Sequence, residues 1–343
     1  MARPSSALLA AGAAVFCLLG SMSTLGESDA AGCPVVDQPL LGRSCEVPGG
    51  FRVFLADGSW VFTHGLDPPP DGAFAYDLPL APTAAGTTAA CAVTDDEPQG
   101  SIVYAVPSDR ADRFTTMRPQ IQAMWQDAAA RLWYTGLERG TAMRYRMHCD
   151  LLQAPFGLPS VAGIRLSTTT AQTNLGTVIS DLQAAGLNHP FTKYWTWVDV
   201  GFFGGGVGTM AIDDQPYVIN HNNIGGAAYA ATWGHTGSSG AQVMMHEDGH
   251  NLGAVQLSAP HTSGGLHCND GWDIMCYADG GPSSNYNPNV CSQNPPPGPP
   301  GPRFDCNGDD YFNPNPPQGS YLASHWNLGS IHNIYLAPGV TGT

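Results

Sequence analysis

The run Val243-Met244-Met245-His246-Glu247-Asp248-Gly249-His250-Asn251-Leu252 carries residue types suited to metal-assisted hydrolysis. Two histidines four apart on a helix project from one face and can meet one ion, while Glu247 beside the first can reach a water on that ion. Zinc lowers the pKa of such a water from 15.7 toward ~7, and a neighbouring carboxylate can then take its proton as hydroxide attacks a polarised carbonyl. The chemistry therefore requires a helix, and its ends are legible. Ser239-Gly240-Ala241-Gln242 matches a capping box, and Gly253 suits the left-handed residue that closes a helix. Gly249 inside the run costs ~1 kcal/mol relative to alanine. It is expected either to let another segment pack closely or to mark a weakened site.

Joined to Gly253 and to Asp273-Ile274-Met275-Cys276-Tyr277, the run resembles the metzincin clan of zinc metallopeptidases: an extended zinc helix, its glycine turn and a methionine turn. The stretch Gly253 to His261, with Asp309 to Pro314, is similar to secreted actinobacterial proteins of that clan. The resemblance extends over residues 101–335, with its specific motifs confined to 246–277. It implies a zinc-dependent endopeptidase in which His246 and His250 hold the metal, Glu247 is the general base and Met275 forms an apolar floor. Tyr277, at the spacing seen in the astacin-like and serralysin-like branches, would be a further ligand or a donor to the oxyanion. The clan's usual third ligand falls three residues after the glycine, where this chain has Gln256. A neutral amide is a poor match for zinc. His261 is the favoured replacement, with His267 and Gln256 as alternatives.

The elements that must position these residues form an α+β pattern. Strands are expected at Ile102–Val106, Met143–Cys149, Val161–Leu166 and Tyr194–Val200, and helices at about 112–137 and 171–185. Together they predict a twisted, mixed, mostly parallel sheet with two backing helices, the zinc helix below a cleft, and an irregular C-terminal subdomain entered at Gly253. The glycine-rich segment 201–235 suits an edge strand and loop beside that cleft. Residues 31–98, with runs such as Phe51–Leu55 and Trp60–Phe62, read as a small β-rich leader or pro-segment before a catalytic domain at 99–343.

Composition bounds the partners. A formal charge of −15 argues against nucleic acid and anionic membranes, and 42 Gly with 29 Pro favour loops over long surface helices. Residues 1–30 read as a secretory signal, too short to span a membrane, so a secreted chain acting on protein or peptide as a monomer is expected. Cys17 lies in that signal. The others, Cys33, Cys45, Cys91, Cys149, Cys268, Cys276, Cys291 and Cys306, form an even set expected to make disulfides, with neighbours pairing 33–45, 268–276 and 291–306. Asp305 to Asp310 alternates acids and an amide as a calcium loop would, although its glycine is misplaced. No serine-nucleophile elbow or phosphate loop is present. The competing function is a catalytically degenerate, metzincin-like secreted binding protein, suggested by Gln256 and Gly249.

Overall fold

A computed structural model describes residues 32–69, 80, 89–92, 94–149, 157–201, 204–292 and 298–339. The expected signal peptide lies outside them. The leader folds as a four-stranded antiparallel meander of β1 (Val36–Gln38), β2 (Gly42–Val47), β3 (Gly50–Phe54) and β4 (Trp60–Thr63). The body follows as β5 (Ala90–Ala92), β6 (Gln99–Val106), α1 (Phe114–Glu138), β7 (Met143–His148), β8 (Val161–Arg165), α2 (Leu175–Ala184), β9 (Thr192–Val198), β10 (Gly206–Gly208), α3 (His221–Ile224), β11 (Ala228–Trp233), α4 (Gly237–Leu252) and β12 (Leu336–Pro338). The second sheet runs β10-β11-β9-β6-β7-β12, with β8 also paired to β6 and β5 to β7. Strands β5 to β9 and β11 pair in parallel; β10 and β12 are antiparallel at the two edges. The architecture is a mixed sheet with few helices, consistent with α+β.

Alternation along the central strands explains the layering. Ile102, Tyr104 and Val106 with Trp195 and Trp197 face α1 and α4, whereas Val103, Ala105, Tyr194 and Val198 face α2. The expectation of two backing helices needs correction here. Helix α1 lies beside α4 on one face, and α2 lies on the other, where Leu175, Val178, Ile179 and Leu182 share a core with Leu41, Val53 and Leu55 of the leader. Both sheet faces are apolar, so strand patterning alone does not show which helix takes which face.

The C-terminal subdomain has little regular structure and is held by polar links to α1. Buried Arg131 bonds Asp127 and the carbonyls of Pro300 and Pro302, and Arg303 pairs with Glu138 at 3.0 Å. Its last residues return to the sheet as β12. All eight of the expected cysteines are at bonding distance: 33 with 45, 91 with 149, 268 with 276, and 291 with 306. Several disulfides suggest an exported protein. No helix among the described residues is long and apolar enough to cross a membrane.

Lys193 is a further cation buried in this frame. Lys193 on β9 donates to the Asn222 carbonyl at 2.7 Å and lies 4.6 Å from the centre of the Tyr335 ring. Burial pulls its pKa down to about 7, partly opposed by Asp248 on α4. Since the unfolded chain keeps this proton up to its ordinary value near 10.5, the group's contribution makes stability rise with pH between about 7 and 10.5. Lys193→Met is expected to lose that rise, on the order of 1 kcal/mol per pH unit. Denaturant melts of both chains at pH 7.5 and 9.5 check it; parallel pH dependence in the two would refute it.

Candidate metal centre

Helix α4 is buried along its whole length from Gly240 to Leu252, so the chemistry it carries sits inside the molecule. It begins at Gly237, three residues before the capping box would start it. Gln242 Nε2 donates instead to the Ser238 carbonyl and hydroxyl. Gly253 ends it in the left-handed conformation, at φ 95°. His246 and His250 share one face, with 3.2 Å between their Nε2 atoms.

The third imidazole of this cluster is His267. Its ring centre lies 5.2 Å from that of His246 and 5.0 Å from that of His250, which are themselves 4.9 Å apart. The disulfide Cys268–Cys276 explains the placement, because it draws His267 against Tyr277, with ring centres 4.5 Å apart. His261, the favoured third ligand, is elsewhere. Its Nδ1 faces Asp310, Asp270 and Asp309 at 3.3, 3.4 and 3.7 Å. Gln256 is also excluded from the cluster: its amide donates to the carbonyls of Ala211 and Gly253, and its oxygen accepts from the Asp213 amide.

The neighbours fix which ring nitrogen points inward. His246 Nδ1 donates to the Ile274 carbonyl at 2.6 Å, and His267 Nδ1 to Asp279 at 3.0 Å, leaving both Nε2 atoms turned to the centre. Met275 follows Ile274 and lies under α4; a Cβ on Gly249 would stand 2.5 Å from its Sδ. Gly249 therefore serves close packing. On the opposite side, β10 crosses α4 at Gly208, where a Cβ would meet the Glu247 carbonyl at 2.5 Å and His250 Cβ at 3.0 Å.

Two residues absent from the sequence reading enter from the leader. Beyond β4 the chain continues antiparallel beside β10. Met210 N donates to the Phe62 carbonyl, Thr63 bridges Thr209, and residue 67 exchanges backbone hydrogen bonds with Gly205 and Gly206. This path places His64 and Asp67 among the three imidazoles. Asp67 Oδ2 is 3.1 Å from His246 Nε2, Oδ1 is 3.3 Å from His267 Nε2, and Tyr277 donates its hydroxyl proton to Oδ1 at 2.5 Å. His64 Nε2 lies 3.8 Å from Asp67 and 3.9 Å from Glu247.

Electrostatics follow from burial. Burial pushes the Glu247 carboxyl well up, reinforced by the charge of Asp67, while burial pulls His64 down to about 3 and His250 well below the usual imidazole range. Burial opposes ionisation of Asp67, yet His246 and His64 hold its pKa well below the ordinary value. His267 rises to about 9 against its burial, because Asp279 and Asp67 face its two nitrogens. Burial, then Asp67, push Tyr277 well above the usual phenol range. His64 Nε2, Asp67 Oδ2, His267 Nε2 and both Glu247 oxygens are buried without a well-directed hydrogen bond. Such groups are costly to bury unpaired, and a cation among them would satisfy them together. Two overlapping groups here could hold a metal ion: His64, Asp67, His250 and His267, and Asp67, His246 and Glu247.

A separate group that could hold a metal ion is His261, Asp270, Asp309 and Asp310. The calcium-loop expectation changes in detail. Asp305, its first acid, accepts the amides of residues 308–312 and so organises a turn. Burial raises Asp310 to about 7 and moves Asp270 upward as well.

No protein-family model matches this chain, and no curated protein matches it. Among solved structures it is similar to wild-type OgpA from Akkermansia muciniphila, with a TM-score of 0.28 and 14% identity over 48% of this chain and 50% of that one. The match thus spans about half of OgpA. So slight a likeness carries no argument.

The crossing at Gly208 gives a direct test of the packing. Gly208→Ala is expected to cost about 1–3 kcal/mol, since the obstructing atoms are backbone and a helix Cβ. Equilibrium unfolding would measure it, and an unchanged midpoint would show that β10 can move away freely.

Proposed function

We propose that the protein is a secreted zinc-dependent endopeptidase of metzincin type, acting as a monomer on protein or peptide. The observation that carries this reading is the meeting of His246, His250 and His267, with Glu247 beside them, around one buried point. Three imidazoles suit zinc, and the carbonyl and carboxylate partners of His246 and His267 would orient them for it. When bound, zinc would polarise the scissile carbonyl and acidify the attacking water.

The remaining work falls to the chain. Glu247, with its raised proton affinity, would take a proton from the attacking water and deliver it to the leaving amine. Tyr277 would donate to the oxygen that gains charge, once its hydroxyl is free of Asp67. Met275 would support the ligands from below α4. An extended substrate would lie along β10, where leader residues 62–67 now pair with the same edge.

The competing idea of a degenerate binding scaffold loses its two motives: Gln256 is engaged by backbone, and Gly249 admits Met275. Elemental analysis of the full chain is expected to find one zinc, lost in His246→Ala, His250→Ala and His267→Ala, and kept in His261→Ala and Gln256→Ala. Zinc lost with His261→Ala alone would sink the ligand assignment. Glu247→Gln should keep the metal and lose at least about a hundredfold of turnover on a denatured protein, assayed before and after limited proteolysis. Equal turnover by Glu247→Gln would rule out its role as base.

A further inference from the structure

Where the leader meets the edge of the sheet, the described residues enclose a pocket of about 530 Å³, within the range of small-molecule sites. Trp60 and Phe62 of β4 line it from the leader, and Met210 and Ile212, just past β10, from the sheet. Polar groups reach the same pocket. Asn251, 1% exposed, donates its amide to the Thr209 and Tyr229 carbonyls at 2.7 and 3.0 Å, while its Oδ1 is buried without a hydrogen bond. Lys193, 2% exposed, has three protons to donate and gives one to the Asn222 carbonyl. Arg52, stacked on Trp60 at 4.7 Å, adds a second cation. In a chain with 28 acids and 13 bases, no Asp or Glu is among the described residues that line this pocket, so its charge is opposite to that of the molecule as a whole. Asp248, which acts on Lys193 from α4, lies outside the lining.

We propose that this pocket binds a small organic anion: an apolar body carrying a carboxylate and an N–H, which is the chemistry of an N-acylated amino acid, free or at the end of a peptide. The carboxylate would be drawn to Lys193, with Arg52 adding to the attraction, and the N–H would meet Asn251 Oδ1. The apolar body would displace water from the aromatic and aliphatic walls. A neutral hydrocarbon would leave the buried acceptor and ammonium unmatched, and a cation would be repelled by Lys193 and Arg52. Nothing in this site calls on a metal, so the proposal stands apart from the peptidase reading. Because the walls come from the leader and the sheet together, an occupant would also hold the leader in place by mass action.

The test uses the full chain at pH 6.5, below the Lys193 pKa of about 7. Isothermal titration calorimetry follows N-acetylphenylalanine, its uncharged C-terminal amide, and 3-phenylpropionate, which lacks the N–H. The first is expected to bind with a Kd of about 1 mM or tighter. The amide should bind at least about tenfold more weakly and 3-phenylpropionate at least about threefold, as loss of a charged and of a neutral hydrogen bond requires. A tripeptide ending in phenylalanine separates the two sources: equal binding assigns the site to a chain end, weaker binding to the free acid. Arg52→Gln and Lys193→Met should each weaken N-acetylphenylalanine, and Ala211→Leu, which fills the pocket, should do so without removing a charge. In wild type, which needs no variant to fold, saturating ligand should slow amide exchange across residues 60–62 and 209–212. No saturable binding at millimolar concentration, equal binding of acid and amide, or protection confined to other residues would overturn the proposal, and none of these outcomes bears on zinc content.

Discussion

Ionisable side chains are expensive to hold in a dry interior, and this protein gathers four imidazoles and two carboxylates in one place, against a helix that is buried from Gly240 to Leu252. Much of the surrounding structure can be understood as the arrangement that makes the gathering possible. The Ile274 carbonyl and the Asp279 carboxylate each take a ring proton on the outer side. Gly249 lets the Met275 segment approach from below, and Gly208 lets the edge strand approach from the side. What hydrogen bonds leave unsatisfied, a cation would balance, and hence the metal reading follows from the cost of burial as well as from residue type.

The same constraint explains the part played by the covalent links. The Cys268–Cys276 bridge lies between His267 and Tyr277 in the fold and fixes them side by side on a subdomain with almost no regular structure. The hydrogen bonds of Arg131 to the Pro300 and Pro302 carbonyls and the Arg303–Glu138 ion pair then dock that subdomain on α1, which itself packs along α4. An irregular chain can thus present a ring as accurately as a helix, because cross-links and buried pairs replace the missing backbone ladder.

The leader belongs to this economy of charge. It contributes apolar residues to the core on the α2 side and polar ones to the centre on the other, and its backbone takes up the free edge of β10. Covering an edge strand also removes a template for unwanted pairing. A role in stability alone does not account for His64 and Asp67 being turned toward imidazoles.

The sequence by itself determined the local terms. The spacing of His246 and His250, the glycine that ends α4, the strand runs at Ile102–Val106 and Tyr194–Val200, the latter ending at Val198 in the fold, and the pairing of neighbouring cysteines all depend on short separations that backbone periodicity fixes. Only the tertiary structure decided the rest. His267 rather than His261 joins the pair because a disulfide folds its loop inward, whereas acids at 270, 309 and 310 draw His261 away. His64 and Asp67 arrive from some 180 residues upstream through pairing with β10, an encounter no local pattern records. The helix start was misplaced because Gln242 found a partner in Ser238 instead of a cap. α1 and α2 lie on opposite faces, where the sequence suggests both behind one, because strands buried on both sides carry no mark of which helix covers which.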